Sequence, residues 1–364
     1  MRIVFFVGTV DLVLSTIGYI YYRCNLPLAR NLPFGLIYLL LVVNTVASVV
    51  LPASTPTFLV KLSAWLEGLW IAFIFYSLLA ALLHFLVWLP LRLAGVHLPN
   101  AKIASVLLIA SCCFIAWGTW RAFHPDLRTE IIETKKLPAN IGYKIALLSD
   151  LHMGRILGRS YAEELVERVN ALNPDLIIIA GDLIDERIYY IEQEDSLNAV
   201  AKLQAPLGTY LIFGNHEYFD NPNLWQQMVE ASGIKVLRDK YTIIDGRLKL
   251  TGLNDFLRYR SDDIIYALAE KNEQFYSILV DHQPRKMLVA QDAGYDLYLS
   301  GHTHTGQLFP NRQVTKRMYL LDYGRKEFGS LTAITSNGYG FWGPPVRTEV
   351  APEIVLIELK GAKN

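Results

Sequence analysis

Four long apolar segments occupy the first 120 residues and constrain the fold more than any other feature. Each approaches or exceeds about 20 residues, the length that a helix needs to cross the hydrocarbon core of a bilayer. A backbone in lipid must satisfy its own hydrogen bonds, so helices are the expected structure. The predicted spans are residues 3–22, 34–51, 65–89 and 103–120. We therefore expect a transmembrane region over residues 1–122, folded as an all-α bundle of about four helices.

The charge distribution separates this region from the remainder of the chain. The 364 residues carry 34 basic and 34 acidic side chains, and only 19% are charged, against about 25% in ordinary soluble proteins. Residues 1–120 contain two acids, Asp11 and Glu67, and six bases, whereas residues 121–364 have a net charge of −4. The 52% hydrophobic content also excludes a disordered chain. A membrane region followed by an ordinary aqueous domain fits this division.

The first apolar segment has the alternative interpretation of a signal peptide. Its length, the acid Asp11 within it and the lack of a small-residue cleavage site before Cys24 argue against that alternative. Asp11 is expected to pack against a polar partner such as Asn44 or Thr45, although membrane acids often have functional roles. His84, near the end of the third segment, is expected at the membrane interface, not in the interior.

With four spans, both ends of the region lie on one side of the membrane. The six bases expected on that side are Arg2, Lys61, Arg121, Arg128, Lys135 and Lys136, against Arg23, Arg30, Arg92 and Lys102 on the other. The positive-inside rule then favours a cytoplasmic catalytic domain in a multi-pass protein of the inner or plasma membrane. All three cysteines, Cys24, Cys112 and Cys113, lie in or beside the spans, which excludes a disulfide scaffold for the aqueous domain.

The aqueous domain is predicted over residues 140–364, after a linker at 123–139. Short apolar segments such as 144–149, 175–180 and 208–213 alternate with helical patterns. Continuous apolar strands are buried on both faces. The class is α/β or α+β, and the expected architecture is a two-sheet sandwich flanked by helices. A further strand is predicted at 314–319.

Metal-type ligands follow several of these predicted strands. They occur as Ser-Asp150-Leu-His152, Gly-Asp182, Gly-Asn215-His216-Glu217, Asp281-His282 and Gly-His302-Thr-His304. Carboxylate, imidazole and amide ligands that converge at one sheet edge suit two divalent ions such as Mn, Fe or Zn. One carboxylate, Asp182, can bridge two ions about 3.5–4 Å apart. The glycines before Asp182, Asn215 and His302 allow sharp turns and close approach.

This motif order resembles the calcineurin-like metallophosphoesterase superfamily over residues 140–360, and details such as Asp281-His-Gln-Pro284 resemble its bacterial YkuE/YaeI branch. The resemblance implies a first metal held by Asp150, His152, Asp182 and His304. It implies a second metal held by Asp182, Asn215, His282 and His302. A water or hydroxide between the ions would attack phosphorus, with His216 beside the leaving group and the Glu217 carboxylate orienting a histidine.

Two residues depart from the pattern of this branch. Thr305 stands where a second glycine is usual, and Asn337 stands where arginine or glycine is frequent. Neither is a metal ligand, so the departures concern substrate contacts. Arg155 is a candidate phosphate contact, because a guanidinium matches phosphate oxygens.

A phosphoesterase joined to membrane spans suggests a substrate at the bilayer surface. The leading hypothesis is hydrolysis of a lipid-linked phosphoester or pyrophosphate, with a UDP-2,3-diacylglucosamine-type substrate as one example from the superfamily. The alternatives are a tethered hydrolase of soluble phosphoesters and a non-catalytic membrane protein with a vestigial metal site. No nucleic-acid partner is expected, and the oligomeric state stays open.

Overall fold

The computed structural model describes residues 2–52, 55–256, 261–270 and 272–362. The chain divides into two units. The helical unit comprises Met1–Arg121 and Gly343–Thr348, and the sandwich unit comprises Ala122–Trp342 and Glu349–Asn364.

Four long helices form the helical unit. They are α1 (Arg2–Asn25), α2 (Leu32–Val50), α3 (Thr57–Leu93) and α4 (Asn100–Ala122). By length and composition, α3 and α4 are long and apolar enough to cross a membrane, and Leu32–Ser48 within α2 is a shorter apolar helix. Many of the large apolar side chains on α3 are exposed within the unit, among them Leu82, Leu83 and Leu86. Such surfaces suit a lipid environment.

Several polar side chains inside the helical unit are paired with one another. Asp11 is buried, and its carboxylate accepts a hydrogen bond from Ser15 at 3.2 Å, one helical turn later. Of its two predicted partners, Thr45 interacts with the Asp11 carboxylate, whereas Asn44 accepts a hydrogen bond from Ser63 at 2.9 Å. His84 is buried at 6% exposure, so the prediction that it would not be buried is wrong. A position near the end of an apolar segment does not indicate which face of the helix is buried.

The segment Gly343–Thr348 belongs to the helical unit although it lies far along the chain. The backbone N–H of Arg347 donates to the carbonyl oxygen of Gly118 at 2.9 Å. The hydroxyl groups of Tyr76 and Thr348 lie 2.5 Å apart. A side chain at Gly118 would collide with Val346 and Thr348, so this glycine permits the close approach of the segment to α4.

Two six-stranded sheets form the sandwich unit. The strands are β1 (Asp126–Thr134), β2 (Gly142–Leu148), β3 (Leu176–Ala180), β4 (Thr209–Ile212), β5 (Lys235–Val236), β6 (Lys240–Ile244), β7 (Leu248–Gly252), β8 (Tyr276–Val280), β9 (Leu297–Ser300), β10 (Gly324–Phe328), β11 (Leu331–Thr335) and β12 (Glu353–Gly361). The first sheet has the order β1-β12-β2-β3-β4-β5, and the second β10-β11-β9-β8-β7-β6. β2, β3 and β4 are parallel neighbours, as are β7, β8 and β9.

In the described part of the chain, seven helices flank the two sheets. They are α5 (Arg159–Ala171), α6 (Ile188–Glu194), α7 (Ser196–Val200), α8 (Pro222–Ala231), α9 (Asp263–Leu268), α10 (Met287–Asp292) and α11 (Arg312–Met318). One apolar core, which includes Ile178 and Ile278, lies between the sheets. A second core, with Leu165 of α5, lies outside the first sheet, and a third, with Met287 of α10, lies outside the second. The predicted sandwich flanked by helices is confirmed.

Two local predictions differ from the structure. The segment 123–139, predicted as a linker, contains β1, which pairs in parallel with β12 from Asp126 to Thr134. The charged side chains of this segment are typical of a linker, but they are also frequent on edge strands such as β1. The predicted strand at 314–319 overlaps helix α11, none of whose residues is buried. Its apolar residues lie on the surface of the protein. The apolar pattern of this segment therefore does not indicate a buried strand.

Candidate metal centre

The predicted ligands converge because they follow strands whose carboxyl ends meet at one edge of the sandwich. Asp150 and His152 follow β2, Asp182 follows β3, and Asn215 and His216 follow β4 in the first sheet. In the second sheet, His282 follows β8, and His302 and His304 follow β9. Parallel neighbours end together, so residues far apart in sequence become adjacent.

The backbone at these positions has an uncommon conformation. Five of the predicted ligands have left-handed backbones with φ between 46° and 72°: Asp150, His152, Asp182, His302 and His304. Side chains other than glycine rarely adopt this region, and strained residues of this kind cluster at functional sites. The surrounding hydrogen bonds maintain them. The Asp150 carboxylate, for example, accepts the backbone N–H of His302 at 3.0 Å.

Asp150, His152 and His304 form the first group of potential ligands. The Nε2 atoms of His152 and His304 lie 3.0 Å apart. The Asp150 Oδ1 atom lies 3.6 Å from His304 Nε2 and 3.9 Å from His152 Nε2. All three side chains are buried. This group has the composition and spacing of a site for one divalent ion.

Asp182, His282 and His302 form a second group beside the first. Asp182 Oδ2 lies 3.1 Å from His282 Nε2, which in turn lies 3.2 Å from His302 Nδ1. The same Oδ2 atom lies 3.9 Å from His152 Nε2 of the first group. The Asp182 carboxylate therefore contacts both groups, as a bridging ligand must.

The residues fit two bound divalent ions. Two nitrogens that each lie about 2.0–2.1 Å from one ion are separated by about 2.9–3.4 Å, and the two histidine pairs have spacings of 3.0 and 3.2 Å. The Asn215 side-chain oxygen is buried and accepts no hydrogen bond from the described residues. Buried polar atoms are rarely left without a partner. An ion at the second group would satisfy this oxygen, in line with its predicted role.

Glycines permit this crowding at two of the predicted positions. A Cβ atom at Gly181 would lie 2.6 Å from His282 Nδ1 and 2.7 Å from the Gly214 backbone nitrogen, and its φ of +87° favours glycine. A Cβ atom at Gly214 would collide with Asp182 and His282. Larger residues at either position would displace ligands.

His216 is buried beside Asp182 and forms a third group of potential ligands with His152 and Asp182. Its Nε2 atom is 3.9 Å from Asp182 Oδ2, and its backbone N–H donates to Asp182 Oδ1 at 3.0 Å. The rings of Phe219 and Trp342 lie 4.5 and 6.1 Å from its ring centroid and are 60% and 58% exposed. His216 is thus held against Asp182 and bordered by exposed aromatic rings.

Asp185 is a site residue that the sequence interpretation missed. Its Oδ1 atom lies 3.4 Å from the Nδ1 atoms of both His152 and His216. Its carbonyl oxygen also contacts His216 Nδ1. A carboxylate at this position orients the rings and fixes which nitrogen faces the centre. The available signal was the spacing Gly-Asp182-Leu-Ile-Asp185, three residues after a recognised ligand.

Glu217 does not orient a histidine, and this prediction is wrong. Its buried carboxylate accepts the backbone N–H groups of Asp182 at 3.0 Å, Leu183 at 2.7 Å and Gly214 at 2.7 Å. These groups belong to the turns after β3 and β4. Glu217 therefore joins the two turns that carry Asp182 and Asn215, a role invisible in sequence because backbone partners leave no motif.

Opposite charges dominate the electrostatics of the centre. Burial raises the pKa of the Asp182 carboxyl, but the charges of His282 and His216 outweigh it and hold this pKa well below its usual range. Burial also raises the pKa of Asp185, but its interactions with His152 and His216 outweigh this effect and lower the pKa to about 2. Burial lowers the pKa of His216, but Asp182 and Asp185 raise it to about 9. Cations would stabilise the same carboxylates, so metal binding is coupled to loss of protons.

The pKa values of His302 and Glu217 shift in opposite directions. Burial and the neighbouring His282 lower the pKa of His302 to about 3, which keeps its ring neutral and able to act as a ligand. Burial and the Asp182 carboxylate raise the pKa of Glu217 to about 7. The backbone N–H groups that Glu217 accepts favour its charged form and oppose this rise.

The structure also describes Arg155 and the two residues that depart from the branch pattern, Thr305 and Asn337. Arg155 is close to the predicted metal ligand His152 in the sequence. Its guanidinium forms an ion pair with Glu186 at 2.5 Å. Asn337 is fully buried and donates to the carbonyl oxygens of Val350 and Ala351, so its departure from the pattern affects packing. Thr305 is also buried, with a left-handed φ of 52° that explains the glycine usual there.

Known proteins are similar to this chain in sequence. The family model for calcineurin-like phosphoesterases matches residues 143–306. A metallophosphoesterase of Aquifex aeolicus is 34% identical over 242 residues, which is 64% of this chain and 91% of that protein. The chain belongs to the calcineurin-like metallophosphoesterase family. YkuE of Bacillus subtilis, a metallophosphoesterase by name, is 30% identical over 60% of this chain and 79% of its own length, so the predicted branch is confirmed.

Other metallophosphoesterases are longer than the matched part. A Campylobacter jejuni relative is 32% identical over 66% of this chain. The match covers 64% of that relative's length, slightly under two thirds. A zebrafish relative named as a transmembrane protein with a metallophosphoesterase domain is 31% identical over 70% of this chain and 62% of its own length. Together with the apolar helices α3 and α4, these relatives indicate membrane association. Among solved structures, Haemophilus influenzae NAD nucleotidase has a TM-score of 0.38 at 16% identity, covering 55% of this chain and 46% of that one.

Proposed function

We propose that this metallophosphoesterase is a membrane-anchored dimetal hydrolase of a phosphomonoester, phosphodiester or pyrophosphate bond. The observation that carries the proposal is the position of Asp182 Oδ2, 3.1 Å from His282 in one ligand group and 3.9 Å from His152 in the other. A carboxylate shared by two groups is the central element of two-metal hydrolytic sites.

Each side chain then has a definite task. Asp150, His152, Asp182 and His304 would hold one ion, and Asp182, Asn215, His282 and His302 the other. When bound, the two ions would supply Lewis-acid charge to the phosphoryl oxygens and lower the pKa of the attacking water.

His216 is the proposed proton donor to the leaving group. In the metal-free protein, Asp182 and Asp185 raise the pKa of His216 to about 9 against the effect of burial. Its Nδ1 atom is engaged with Asp185, which directs Nε2 toward the centre. A positioned imidazolium can deliver a proton in the transition state and stabilise negative charge there.

We further propose that the helical unit anchors the chain as a multi-pass protein of the inner or plasma membrane. α3 and α4 have the length and composition to span a bilayer, and α1 and α2 are proposed as the other two spans. The excess of basic residues expected on the side of both region ends favours a cytoplasmic sandwich unit.

A lipid-linked substrate is favoured by the border of the centre. Trp342 and Phe219 flank His216 and remain 58% and 60% exposed. Exposed aromatic rings beside a reactive group suit an apolar or sugar-lipid leaving group better than a small ionic one. A UDP-2,3-diacylglucosamine-type nucleotide lipid is one substrate with this combination of pyrophosphate and acyl chains.

The test compares substrates of matched chemistry. Full-length protein in detergent micelles is assayed with a long-chain lipid pyrophosphate, its water-soluble short-chain analogue and a chromogenic phosphodiester. A higher kcat/KM for the long-chain substrate supports the lipid proposal. A higher kcat/KM for the short-chain analogue would favour a tethered hydrolase of soluble phosphoesters, and inactivity toward all three, without metal binding, would favour a vestigial site.

A further inference from the structure

The helical unit contains a cavity that is separate from the metal centre. Its volume is about 220 Å³, and it is lined by Tyr21, Asn25, Ala81, His84, Phe85, Trp88 and Asn100. Sites that enclose a whole small-molecule ligand are typically about 300–1,000 Å³. This cavity therefore suits one part of a larger molecule, such as a headgroup.

The lining follows from helix periodicity. Ala81, His84, Phe85 and Trp88 occupy positions i, i+3, i+4 and i+7 of α3, so they share one face. The last residue of α1, Asn25, and the first residue of α4, Asn100, complete the wall. Helix ends and tryptophan side chains are features of the headgroup level of a membrane, not of its centre.

Two buried polar atoms in the cavity wall have no partner among the described residues. They are His84 Nε2 and Asn100 Oδ1. His84 is 6% exposed, and its Nδ1 atom lies 3.0 Å from the Tyr21 hydroxyl. With the Tyr21 hydroxyl as donor to Nδ1, the ring proton of neutral His84 lies on Nε2. The cavity wall therefore contains one donor and one acceptor whose hydrogen bonds are not satisfied by the described residues.

The charge around this end of the unit is positive. Arg23, Arg30, Arg92 and Lys102 lie near the ends of α1, α3 and α4 that line the cavity or in the adjoining turn. The only acids of the helical unit are Asp11 and Glu67, and their described hydrogen bonds are with Ser15 and Ser48. Arginine and lysine side chains without acidic neighbours form favourable charge-assisted hydrogen bonds with the phosphate of a lipid headgroup.

We propose that this cavity binds the headgroup of an anionic phospholipid that carries free hydroxyl groups, of which phosphatidylglycerol is the simplest. A headgroup hydroxyl bonds to His84 Nε2 and Asn100 Oδ1, and Phe85 and Trp88 contact the glycerol backbone and first acyl carbons. The inference rests on the proposed membrane insertion of the helical unit, but it requires no catalytic activity.

The experiment measures lipid retained by the full-length protein. Protein delipidated in detergent is mixed with equal amounts of phosphatidylglycerol, phosphatidylserine and phosphatidylcholine, exchanged into fresh detergent and analysed by native mass spectrometry. We expect phosphatidylglycerol to be retained above the other two. Ala81→Phe, which fills the cavity, and His84→Phe, which removes the donor, should each reduce retention about tenfold, as expected for loss of one or two buried hydrogen bonds.

Leu82→Phe is the matched control, because Leu82 is 52% exposed and does not line the cavity. Its retention should equal that of the wild type. If Ala81→Phe aggregates, Asn100→Leu removes the acceptor at similar volume and should give the same loss. Equal retention of all three lipids, or unchanged retention in the cavity variants, would overturn the inference.

The same samples separate this inference from the proposed function. Hydrolysis of a chromogenic phosphodiester reports on the metal centre, and alkaline carbonate extraction of membranes reports on insertion. Active, inserted protein that retains no phosphatidylglycerol would refute the lipid site alone. Inactive protein that retains the lipid and loses it in His84→Phe would refute the hydrolase alone.

Discussion

The Glu217 carboxylate accepts the backbone N–H of Asp182 at 3.0 Å and so ties the turn after β3 to the turn after β4. Each of its oxygens faces backbone donors, Oε1 toward Leu183 and Oε2 toward Asp182 and Gly214. This arrangement maintains the left-handed backbone of Asp182, whose φ is 53°. The geometry of the proposed bridging ligand thus depends on a residue that need not touch either ion.

Glu217→Gln should therefore destabilise the fold. In either orientation the amide NH₂ faces backbone N–H groups and leaves buried donors unsatisfied, at a cost of about 1–3 kcal/mol. Chemical denaturation measures the change in the free energy of unfolding. Glu230→Gln on the exposed face of α8 is the matched control and should have almost no effect. Equal stability of the two variants would show that Glu217 does not hold the turns.

Asp185→Asn tests the residue that the sequence interpretation missed. Asp185 Oδ1 lies 3.4 Å from the Nδ1 atoms of His152 and His216. Loss of the negative charge should lower kcat or metal affinity by about 10–100-fold, as for other carboxylates that orient metal-site histidines. Steady-state kinetics at saturating metal separates the two effects. Asp195→Asn, with its side chain about 43% exposed, is the control, and kinetics identical to it would remove Asp185 from the site.

His216→Ala should retain two ions and lose rate. The variant removes the proposed proton donor, and such groups contribute about 10²–10⁴-fold to kcat. Substrates with a better leaving group need less protonation, so the loss should shrink as the leaving-group pKa falls. Because His216 also lies within reach of Asp182 and His152, metal analysis of the variant is essential. Loss of an ion would make His216 a ligand in place of a proton donor.

Gly181→Ala should disrupt the centre through a collision. Its Cβ would lie 2.6 Å from His282 Nδ1, whereas Gly233 has a similar φ, +92° against +87°, and open space around it. Both substitutions carry the cost of a left-handed alanine, about 1–2 kcal/mol. Only Gly181→Ala should also weaken metal binding, as measured by isothermal titration calorimetry. If both variants bind metal like the wild type, the proposed crowding at His282 is wrong.

The sequence allowed prediction of the ligands because each follows a strand at a glycine or within a short motif. Asp150, Asp182, His282 and His304 are brought together as the motif order implies. The roles of Asp185 and Glu217 could not be predicted from the sequence, since hydrogen bonds to imidazole rings and backbone groups leave no distinctive sequence pattern. Strand β1 was not predicted because an edge strand tolerates charged side chains. Helix α11 was not predicted because its apolar residues are on the surface.

The helical unit illustrates a different limit. Hydropathy indicated where apolar helices occur, but not which face of α3 is buried. His84 lies five residues before the predicted end of its span, and only the packing of α1 and α4 against that face encloses it. Helix–helix packing depends on contacts between segments that are distant in sequence, so a single chain's hydropathy carries little information about it.

The number of ions bound when activity is present tests the dimetal centre most directly. Full-length protein is stripped with a chelator, then titrated with Mn²⁺, Fe²⁺ or Zn²⁺ while phosphodiester hydrolysis and metal content are measured together. We predict no activity without metal, full activity at two ions per chain, and neither two-ion binding nor turnover in Asp182→Asn. Hydrolysis by protein that contains no metal, or normal turnover in Asp182→Asn, would refute the dimetal centre proposed for this chain.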